Sequence, residues 1–434
     1  MIIFFALVLL AVLIAWGKVT PFIAFLIVSI VTALGLGIAP DKVPGVIEKG
    51  VGGILGSMAA LICLGAIFGK IIAESGAAQR IATFLMEAFG EKYLQWAMVL
   101  TGFIVGIALF YNVGFVLMVP LVFAVVYQYN LPAVYIGLPL LASLSVTHGF
   151  LPPHPSPVAL IPLFGADIRT TLLYGLIVGI PTVIIAGPVL TRYLPPVHSV
   201  PLSTYRTNIM ERSALPGAAN SFISALLPVI LLALSALASL FIARESVAGQ
   251  WLALVSDPVI IILISLWIIV YSLGISHGKK LQQIMGWAEE AIRDIAGLLT
   301  IIAGAGMLKQ VLVESGISTS IGASLQTMPL HPLLLAWGIA TAIRVCIGSA
   351  TVAGMTAASI VAPMAQNGLA DPNLLVLAVG AGSLMLSHVN DSGFWLYKTY
   401  FNLSLKDTFR TWSLMETVVG VVGIIGVLIL DQFI

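Results

Sequence analysis

The sequence predicts an all-α, polytopic membrane protein built from two inverted repeats. The chain has 434 residues, of which 60% are hydrophobic and only 9% are charged, and its mean hydropathy is +1.10. Soluble proteins carry about 25% charged residues, so most of this surface is predicted to face lipid. Polar motifs of the first half also recur in the second half. A duplicated apolar chain is typical of secondary transporters, whose binding sites lie where the halves meet.

Three motifs recur in one register, about 240 residues apart. They are Ser-Leu-x-x-[Thr/Ser]-His ending at His148 and His388, Glu-Ser-Gly beginning at Glu74 and Glu314, and a glycine at Gly114 and Gly354. Three matches with one offset are difficult to obtain by chance. They divide the chain into a first repeat, residues 1–193, a soluble linker, residues 194–220, and a second repeat, residues 221–434.

Apolar runs of roughly 17–25 residues are predicted to span the membrane. The predicted spans of the first repeat lie near 2–17, 20–39, 51–73, 131–166 and 171–193. Those of the second repeat lie near 221–242, 258–274, 292–313, 373–400 and 411–431. Charged amphipathic stretches precede the third span of each repeat, at 41–49 and 279–294, and are predicted to be helices on the membrane surface.

Each repeat also contains an apolar run that is broken near its middle. Residues 94–128 are interrupted around Tyr111–Gly114, and residues 330–365 around Gly348–Thr351. A length of about 35 residues favours a re-entrant hairpin of two short helices over one kinked span. Because five crossings is an odd number and a hairpin adds none, the second repeat is predicted to be inverted relative to the first. Such repeats exchange roles during alternating access.

Two predicted spans are themselves interrupted by polar segments. The first interruption, His148–Pro157, contains four prolines and cannot continue a helix, and the second is His388–Gly393. Irregular backbone at membrane depth is tolerated only where it is buried or lines a cavity. The two hairpin tips and two interruptions are therefore predicted to converge near the midplane. Helix N-termini there favour an anion, and the surrounding hydroxyl and amide groups favour a polyol.

The predicted substrate-binding residues come from these four segments. They are Tyr111, Asn112, Gly114, Thr147, His148, His154, Arg344, Gly348, Ser349, Thr351, His388, Asn390 and Asp391. The proton-coupling candidates are Asp391, His148 and His388. Each has an alternative: the histidines can be buried hydrogen-bonded side chains, and Asp391 can be a helix cap. Arg344 can bind a substrate carboxylate, pair with Asp391, or extend to the interface.

Other classes of function have no support in the sequence. The formal net charge of +1 argues against a nucleic-acid partner. The motifs of zinc proteases, P-loop ATPases and serine hydrolases do not occur. The chain is therefore predicted not to be an enzyme and to need no cofactor or metal.

Several motifs resemble the gluconate permease family of gluconate:proton symporters over nearly the whole chain. The most specific is Thr147-His148-Gly149-Phe150-Leu151-Pro152-Pro153-His154-Pro155, and others lie at 108–115, 348–352 and 387–391. The resemblance implies a bacterial inner-membrane symporter for gluconate or a related sugar acid. It also implies a homodimer with scaffold and elevator-type transport domains, in which hairpin tips and broken helices hold the substrate. The dimer interface is expected near residues 20–39 and 221–274.

The chain departs from that family at three positions. Asn112 stands where glutamate is common, Ser156 where glycine is common, and Ser392 where proline is common. A neutral residue at position 112 leaves open a different substrate, a different coupling residue or an engineered neutral variant. Because members of the resembled family also take other substrates, one alternative function is a carrier for D-serine or another small hydroxy acid. The other, which a neutral Asn112 suggests, is a binding-only or uncoupled membrane receptor.

Overall fold

All regular secondary structure in the part of the chain that the computed structural model describes is helical. The described residues are 2–108, 111–152, 154–195, 197, 199, 201–202, 210–211, 214–239, 241–243, 245–316 and 330–434. Within them, seven helices are long and apolar enough to cross a membrane. They are Val43–Glu74, Ala133–Phe150, Ile168–Tyr193, Ala218–Ser235, Pro258–His277, Leu281–Glu314 and Leu405–Leu430. The prediction of an all-α, multi-span protein is confirmed.

The helices form two sets, separated by the segment around residue 200. The first set is α1 (Ile2–Ala15), α2 (Pro21–Gly35), α3 (Val43–Glu74), α4 (Ala77–Ala108), α5 (Tyr111–Tyr129), α6 (Ala133–Phe150), α7 (Pro155–Phe164), α8 (Ile168–Ile184), a π-helical turn (Ile185–Val189) and α9 (Leu190–Tyr193). The second set is α10 (Ala218–Ala238), α11 (Val247–Val255), α12 (Pro258–Ile269), a π-helical turn (Val270–Gly274), a 3₁₀ turn (Ile275–His277), α13 (Leu281–Glu314), α14 (Pro332–Ile347), α15 (Ala350–Gln366), α16 (Pro372–Leu384), α17 (Ser392–Tyr400), α18 (Leu405–Thr408), a π-helical turn (Phe409–Ser413) and α19 (Leu414–Leu430). Helix α11 is an addition to the predicted elements.

The prediction of two separate surface helices at 41–49 and 279–294 is wrong. These stretches form the first turns of α3, which has 32 residues, and of α13, which has 34. No proline separates the charged from the apolar part in either helix, so the hydrogen-bond ladder continues without a break. At 1.5 Å per residue each helix is about 50 Å long, well beyond the roughly 30 Å of a hydrocarbon core. The charged ends therefore extend past the apolar layer.

Helices α3 and α13 pack against each other in opposite directions. Lys49 near the start of α3 pairs with Glu314 at the end of α13, at 2.5 Å. At the other end, the buried Lys70 pairs with Glu74, at 3.1 Å, and with Glu290, at 3.2 Å. Glycines bring the two backbones together: a Cβ on Gly306 would lie 2.6 Å from the carbonyl oxygen of Gly50.

Both interrupted apolar runs fold as two helices that pack against each other, α4 with α5 and α14 with α15. Within α4 the backbone is non-helical at Gly90, which has φ 62° and ψ 171°. The turn between α4 and α5, residues 109–110, lies outside the described residues. Between α14 and α15, Gly348 has a left-handed backbone with φ of 76°, which only glycine adopts at little cost. In the second run, two packed helices joined by a tight turn are the arrangement predicted for a re-entrant hairpin.

Both predicted helix interruptions are present. Helix α6 ends at Phe150 and α7 begins at Pro155. A proline is well tolerated at this first position, because the N–H groups of a first helical turn have no partner within the helix. Helix α16 ends at Leu384, so the second interruption begins earlier than the predicted His388. His388 and Asn390 donate to the carbonyl of Val345, at 2.9 and 2.8 Å, and thereby cap the end of α14.

The described part of the predicted linker is tied to the helices around it. The side-chain amide of Gln79 makes two hydrogen bonds to the backbone of Met210, both 2.9 Å long. The hydroxyl of Tyr127 donates to the carbonyl of Pro201, at 2.7 Å. The backbone N–H of Leu202 donates to the carbonyl of Tyr400, at 3.0 Å. These bonds hold the linker against the ends of α4, α5 and α17.

We predict that Gly306→Leu lowers the melting temperature of the protein in mild detergent. The new side chain must separate α3 from α13, and overpacking of this kind costs about 1–3 kcal/mol. Gly297→Leu is the matched control, because it lies on the same helix and a Cβ there meets no atom within 4 Å. Equal melting temperatures for the two variants would contradict the close contact between these helices.

Candidate functional site

A cavity of about 210 Å³ lies where the second hairpin meets both helix interruptions and the start of α5. The long helices α3 and α13 close another side. Its lining residues are Ile54, Tyr111, Asn112, Ser145, His148, Ala305, Lys309, Arg344, Gly348, Ser349, Ala350, Thr351, Leu384, Asn390, Asp391, Ser392, Gly393, Trp412 and Glu416. Ionisable, amide and hydroxyl side chains dominate this list although the chain as a whole is apolar. In a membrane protein such a concentration of polar groups marks a substrate or ion site.

Nine of the thirteen residues predicted to bind substrate line this cavity. They are Tyr111, Asn112, His148, Arg344, Gly348, Ser349, Thr351, Asn390 and Asp391. Residues widely separated in sequence thus meet because the two hairpins pack against the two interrupted helices. Their roles in binding stay predictions.

The other four predicted residues are placed behind the cavity wall. Gly114 packs against α6, where an added Cβ would lie 3.0 Å from the side chain of Leu144. The hydroxyl of Thr147 donates to the carbonyl of Ser143 at 3.0 Å, within its own helix. His154 donates through Nε2 to the carbonyl of Gly106 near the end of α4, at 2.8 Å. His388 donates through Nε2 to the carbonyl of Val345 near the end of α14, at 2.9 Å. These four residues position the segments that line the cavity.

His148 is oriented by the second histidine of its segment. The Nδ1 atoms of His148 and His154 lie 3.3 Å apart. Since His154 donates through Nε2, its Nδ1 is the acceptor in the neutral ring, and the Nδ1–H of His148 donates to it. The remaining nitrogen of a neutral His148, Nε2, is then an acceptor. A hydroxyl group of a ligand suits that nitrogen better than a carboxylate does.

Asp391 joins the second hairpin to the second helix interruption. One carboxylate oxygen accepts from the guanidinium of Arg344 and from the hydroxyl of Ser387. The other accepts from the N–H of Gly393, at 3.0 Å, which caps the start of α17. Trp412 in turn donates from its indole nitrogen to the Ser387 hydroxyl, at 2.8 Å. Both alternatives for Asp391 that the sequence left open, a cap and a partner of Arg344, are realised together.

Arg344 keeps part of its hydrogen-bonding capacity unused. Its side chain is 4% exposed, and Nε and Nη1 are buried without a partner. The hydroxyl of Tyr111, Oδ1 of Asn390 and Oε2 of Glu416 are also buried without a partner. Buried polar atoms are nearly always hydrogen-bonded, so these groups around one cavity are available to bind a polar ligand or water.

Two helix N-termini face the same space. Helix α15 begins at Ala350 and has 17 residues, and α17 begins at Ser392 and has nine. The N–H groups of a first helical turn lack partners within the helix, and the helix dipole adds partial positive charge there. Together with Arg344 and Lys309 they make this side of the cavity suited to an anion.

The sequence reasoning missed Ser145, Lys309, Trp412 and Glu416. Lys309 and Glu416 lie inside the predicted spans 292–313 and 411–431, so an ionisable side chain at membrane depth was the signal that could have found them. Ser145 and Trp412 carry no such signal, because serine and tryptophan are common in membrane helices. Only the packing of α6 and of the π-helical turn Phe409–Ser413 shows that they reach the cavity.

Comparison with known proteins assigns the family. The sequence model described as GntP family permease matches residues 1–434. The chain belongs to the GntP family of permeases. A high-affinity gluconate transporter of Escherichia coli K12 is 45% identical over 98% of both chains, and the Gnt-II system L-idonate transporter of the same organism is 43% identical over 98% of this chain and 97% of its own. A gluconate permease of Bacillus subtilis is 42% identical over 95% of both chains.

This membership confirms the resemblance noted in the sequence. A permease family and seven apolar helices make the protein a multi-pass membrane protein and a transporter rather than an enzyme. Among solved structures, the Alcanivorax borkumensis YdaH transporter aligns with 95% of this chain and 98% of its own, at a TM-score of 0.43 and 16% identity. The placement of helices and site residues given above comes from this chain alone.

We predict that Gly348→Ala destabilises the fold and deforms the cavity. An added Cβ would lie 2.2 Å from the carbonyl oxygen of Asn390, and the left-handed backbone adds about 1 kcal/mol or more of strain for any other residue. Gly338→Ala on the same helix is the control, because its Cβ meets no atom within 4 Å. Thermal unfolding in detergent measures the difference. A melting temperature of Gly348→Ala at or above that of the control would show that the hairpin tip does not press on the interruption.

Proposed function

We propose that the protein is a secondary active transporter that carries gluconate or a closely related sugar acid with protons across the bacterial inner membrane. The observation that carries this proposal is that the guanidinium of Arg344 has unused hydrogen-bond donors. It lies in a polar cavity with two guanidinium nitrogens unpartnered, beside two helix N-termini. Guanidinium groups bind carboxylates through paired N–H bonds. A carboxylate at this position completes a set of donors that the protein itself leaves open.

The rest of the cavity suits the hydroxyl groups of a sugar acid. Tyr111 offers a hydroxyl, and Asn390 and His148 offer acceptors, while Ser349 and Thr351 line the side next to Arg344. Gluconate carries one carboxylate and a chain of hydroxyl groups, which matches one charged end and one neutral polar end. The names of the gluconate and L-idonate transporters related to this chain support the same substrate class.

The packing of the helices supports alternating access by two inverted repeats. Helices α3 and α13, which correspond at an offset of about 240 residues, run in opposite directions. The pairs α4–α6 and α14–α16, which correspond in the same way, both pack together. We further propose an elevator-type motion of the hairpins and interrupted helices against a scaffold, and a homodimer formed through outer helices such as α2, α10 and α12. A particle mass of one protomer in both mild detergent and nanodiscs would contradict the dimer.

Uptake of labelled gluconate into proteoliposomes tests the transport proposal directly. We expect accumulation when an inward proton gradient is imposed and only equilibration without it. Inhibition of gluconate uptake by unlabelled L-idonate and D-serine then ranks the substrates. Sugar acids are expected to inhibit uptake more strongly than D-serine. Failure to transport any of several sugar acids, with or without the gradient, would contradict the proposal. Thermal stabilisation by gluconate without any flux would instead favour a binding-only receptor.

We predict that Arg344→Lys weakens gluconate binding. Lysine keeps the positive charge but loses the planar fork of donors, and a hydrogen bond to a charged group contributes about 1.5–3 kcal/mol. The affinity is measured by the thermal shift that gluconate produces in detergent. Arg293→Lys, at an exposed position of α13, is the matched control. Equal affinities of the two variants would remove Arg344 from the binding site.

A further inference from the structure

Glu416 is a buried carboxylate whose surroundings differ from those of Asp391. It lies near the start of α19, is 2% exposed and lines the cavity. One oxygen accepts from the hydroxyl of Ser145, and the other, Oε2, is buried without a partner. Asp391 accepts from a guanidinium, a hydroxyl and a backbone N–H, whereas no salt bridge to Glu416 exists among the described residues. Glu416 is thus an acid held by a single neutral donor.

The ionisable neighbours of Glu416 come from several elements. Helix α6 contributes His148, α14 contributes Arg344, and the second interruption contributes Asp391, while Tyr111 and Lys309 face the same cavity from α5 and α13. Helices α8 and α16 and the π-helical turns Ile185–Val189 and Phe409–Ser413 also pack near α19, and none of them adds an ionisable side chain to the cavity lining. With His148 counted as a neutral ring that donates through Nδ1 to His154, the balance of charge around a bound anion depends on Arg344, Lys309, Asp391 and Glu416.

The charge balance links the protonation of Glu416 to the substrate. With Glu416 ionised, two cations face two carboxylates, and the cavity is neutral when it holds no substrate. A monoanionic substrate then adds one uncompensated negative charge. If Glu416 takes up one proton, the same substrate makes the cavity neutral again. Because uncompensated charge at membrane depth is costly, the two neutral states are the ones suited to cross the membrane.

We propose that Glu416 carries the coupled proton, and that one proton accompanies each substrate anion, so that transport moves no net charge. This inference rests on the proposed sugar-acid symport. It assigns the proton to Glu416 in preference to Asp391, because all the donors around Asp391 stabilise its ionised form and join the second hairpin to the interrupted helix. By linkage, protonation and substrate binding strengthen each other by equal factors.

The test uses labelled gluconate with the full-length protein in proteoliposomes. Glu416→Gln imitates the protonated acid. It should keep gluconate binding and the exchange of internal for external gluconate, and it should lose proton-driven accumulation by about tenfold or more. Gluconate affinity of the unaltered protein should weaken as the pH rises, whereas that of Glu416→Gln should not depend on pH. Glu289→Gln, at an exposed position of α13, is the matched control and should behave as the unaltered protein does.

Three further measurements keep the inference open to refutation if Glu416→Gln does not fold. Glu416→Asp retains an acid and should retain coupling with a displaced pH profile. In the unaltered protein, gluconate added to a weakly buffered solution should cause uptake of one proton per substrate bound, and a membrane potential without a pH gradient should drive no accumulation.

The outcomes separate this inference from the transport proposal. If the unaltered protein transports no sugar acid, the proposed function fails. If it shows proton-driven transport and Glu416→Gln still accumulates gluconate with an unaltered pH profile, only the assignment of Glu416 fails. Accumulation driven by membrane potential alone, or by a sodium gradient, would overturn the one-to-one proton stoichiometry.

Discussion

The ion pair between Arg344 and Asp391 holds the candidate site together. It connects the last turns of α14 to the segment between α16 and α17. These elements also meet through the hydrogen bonds of His388 and Asn390 to the carbonyl of Val345 and through the close approach of Gly348 to Asn390. Removing one partner of such a pair leaves a buried charge, at a cost of about 3–5 kcal/mol. The geometry also determines what remains for a ligand. Asp391 pairs with Nη2 of Arg344, whereas Nε and Nη1 have no protein partner and remain available as donors.

The two halves of the chain carry matching sequence motifs but supply different chemistry. The positions 240 residues before Arg344 and Asp391 are Ile104 and Leu151, so the first half has no counterpart of the ion pair. It offers neutral groups instead, namely the hydroxyl of Tyr111, the amide of Asn112 and the ring of His148. A site between such halves has one charged end and one neutral end. This asymmetry suits a hydroxylated carboxylate better than it suits a dianion or an uncharged sugar.

Helices α3 and α13 form the wall against which the hairpins and interruptions are arranged. Glycines at their crossing let the backbones approach, and the pairs formed by Lys49 and Lys70 hold the two ends. The same helices present Ile54, Ala305 and Lys309 to the cavity. A long, closely packed pair of helices therefore lies beside shorter, interrupted helices. At the end of α14, side chains from the second interruption supply hydrogen bonds to a backbone carbonyl.

The sequence by itself determined the fold class, the helical spans and the segments that carry the site. Composition and apolar run length set the first two, because a membrane demands them of any chain that crosses it. Nine cavity residues were also identified, since prolines, glycines and polar groups inside apolar runs are conspicuous. The family resemblance carried by the Thr-His-Gly-Phe-Leu-Pro-Pro-His-Pro run was likewise visible in the sequence alone.

Only the tertiary structure decided which histidine does what. The repeat aligns His148 with His388, yet His388 caps the end of a hairpin helix as His154 does, whereas His148 lines the cavity. Similarly, Glu416 is one acidic residue at the start of a long apolar helix until α6 and α19 pack and bring it to Ser145. The physical reason is that these roles depend on direction and distance between helices. A one-dimensional pattern specifies which face of a helix is polar, but not which partner that face meets.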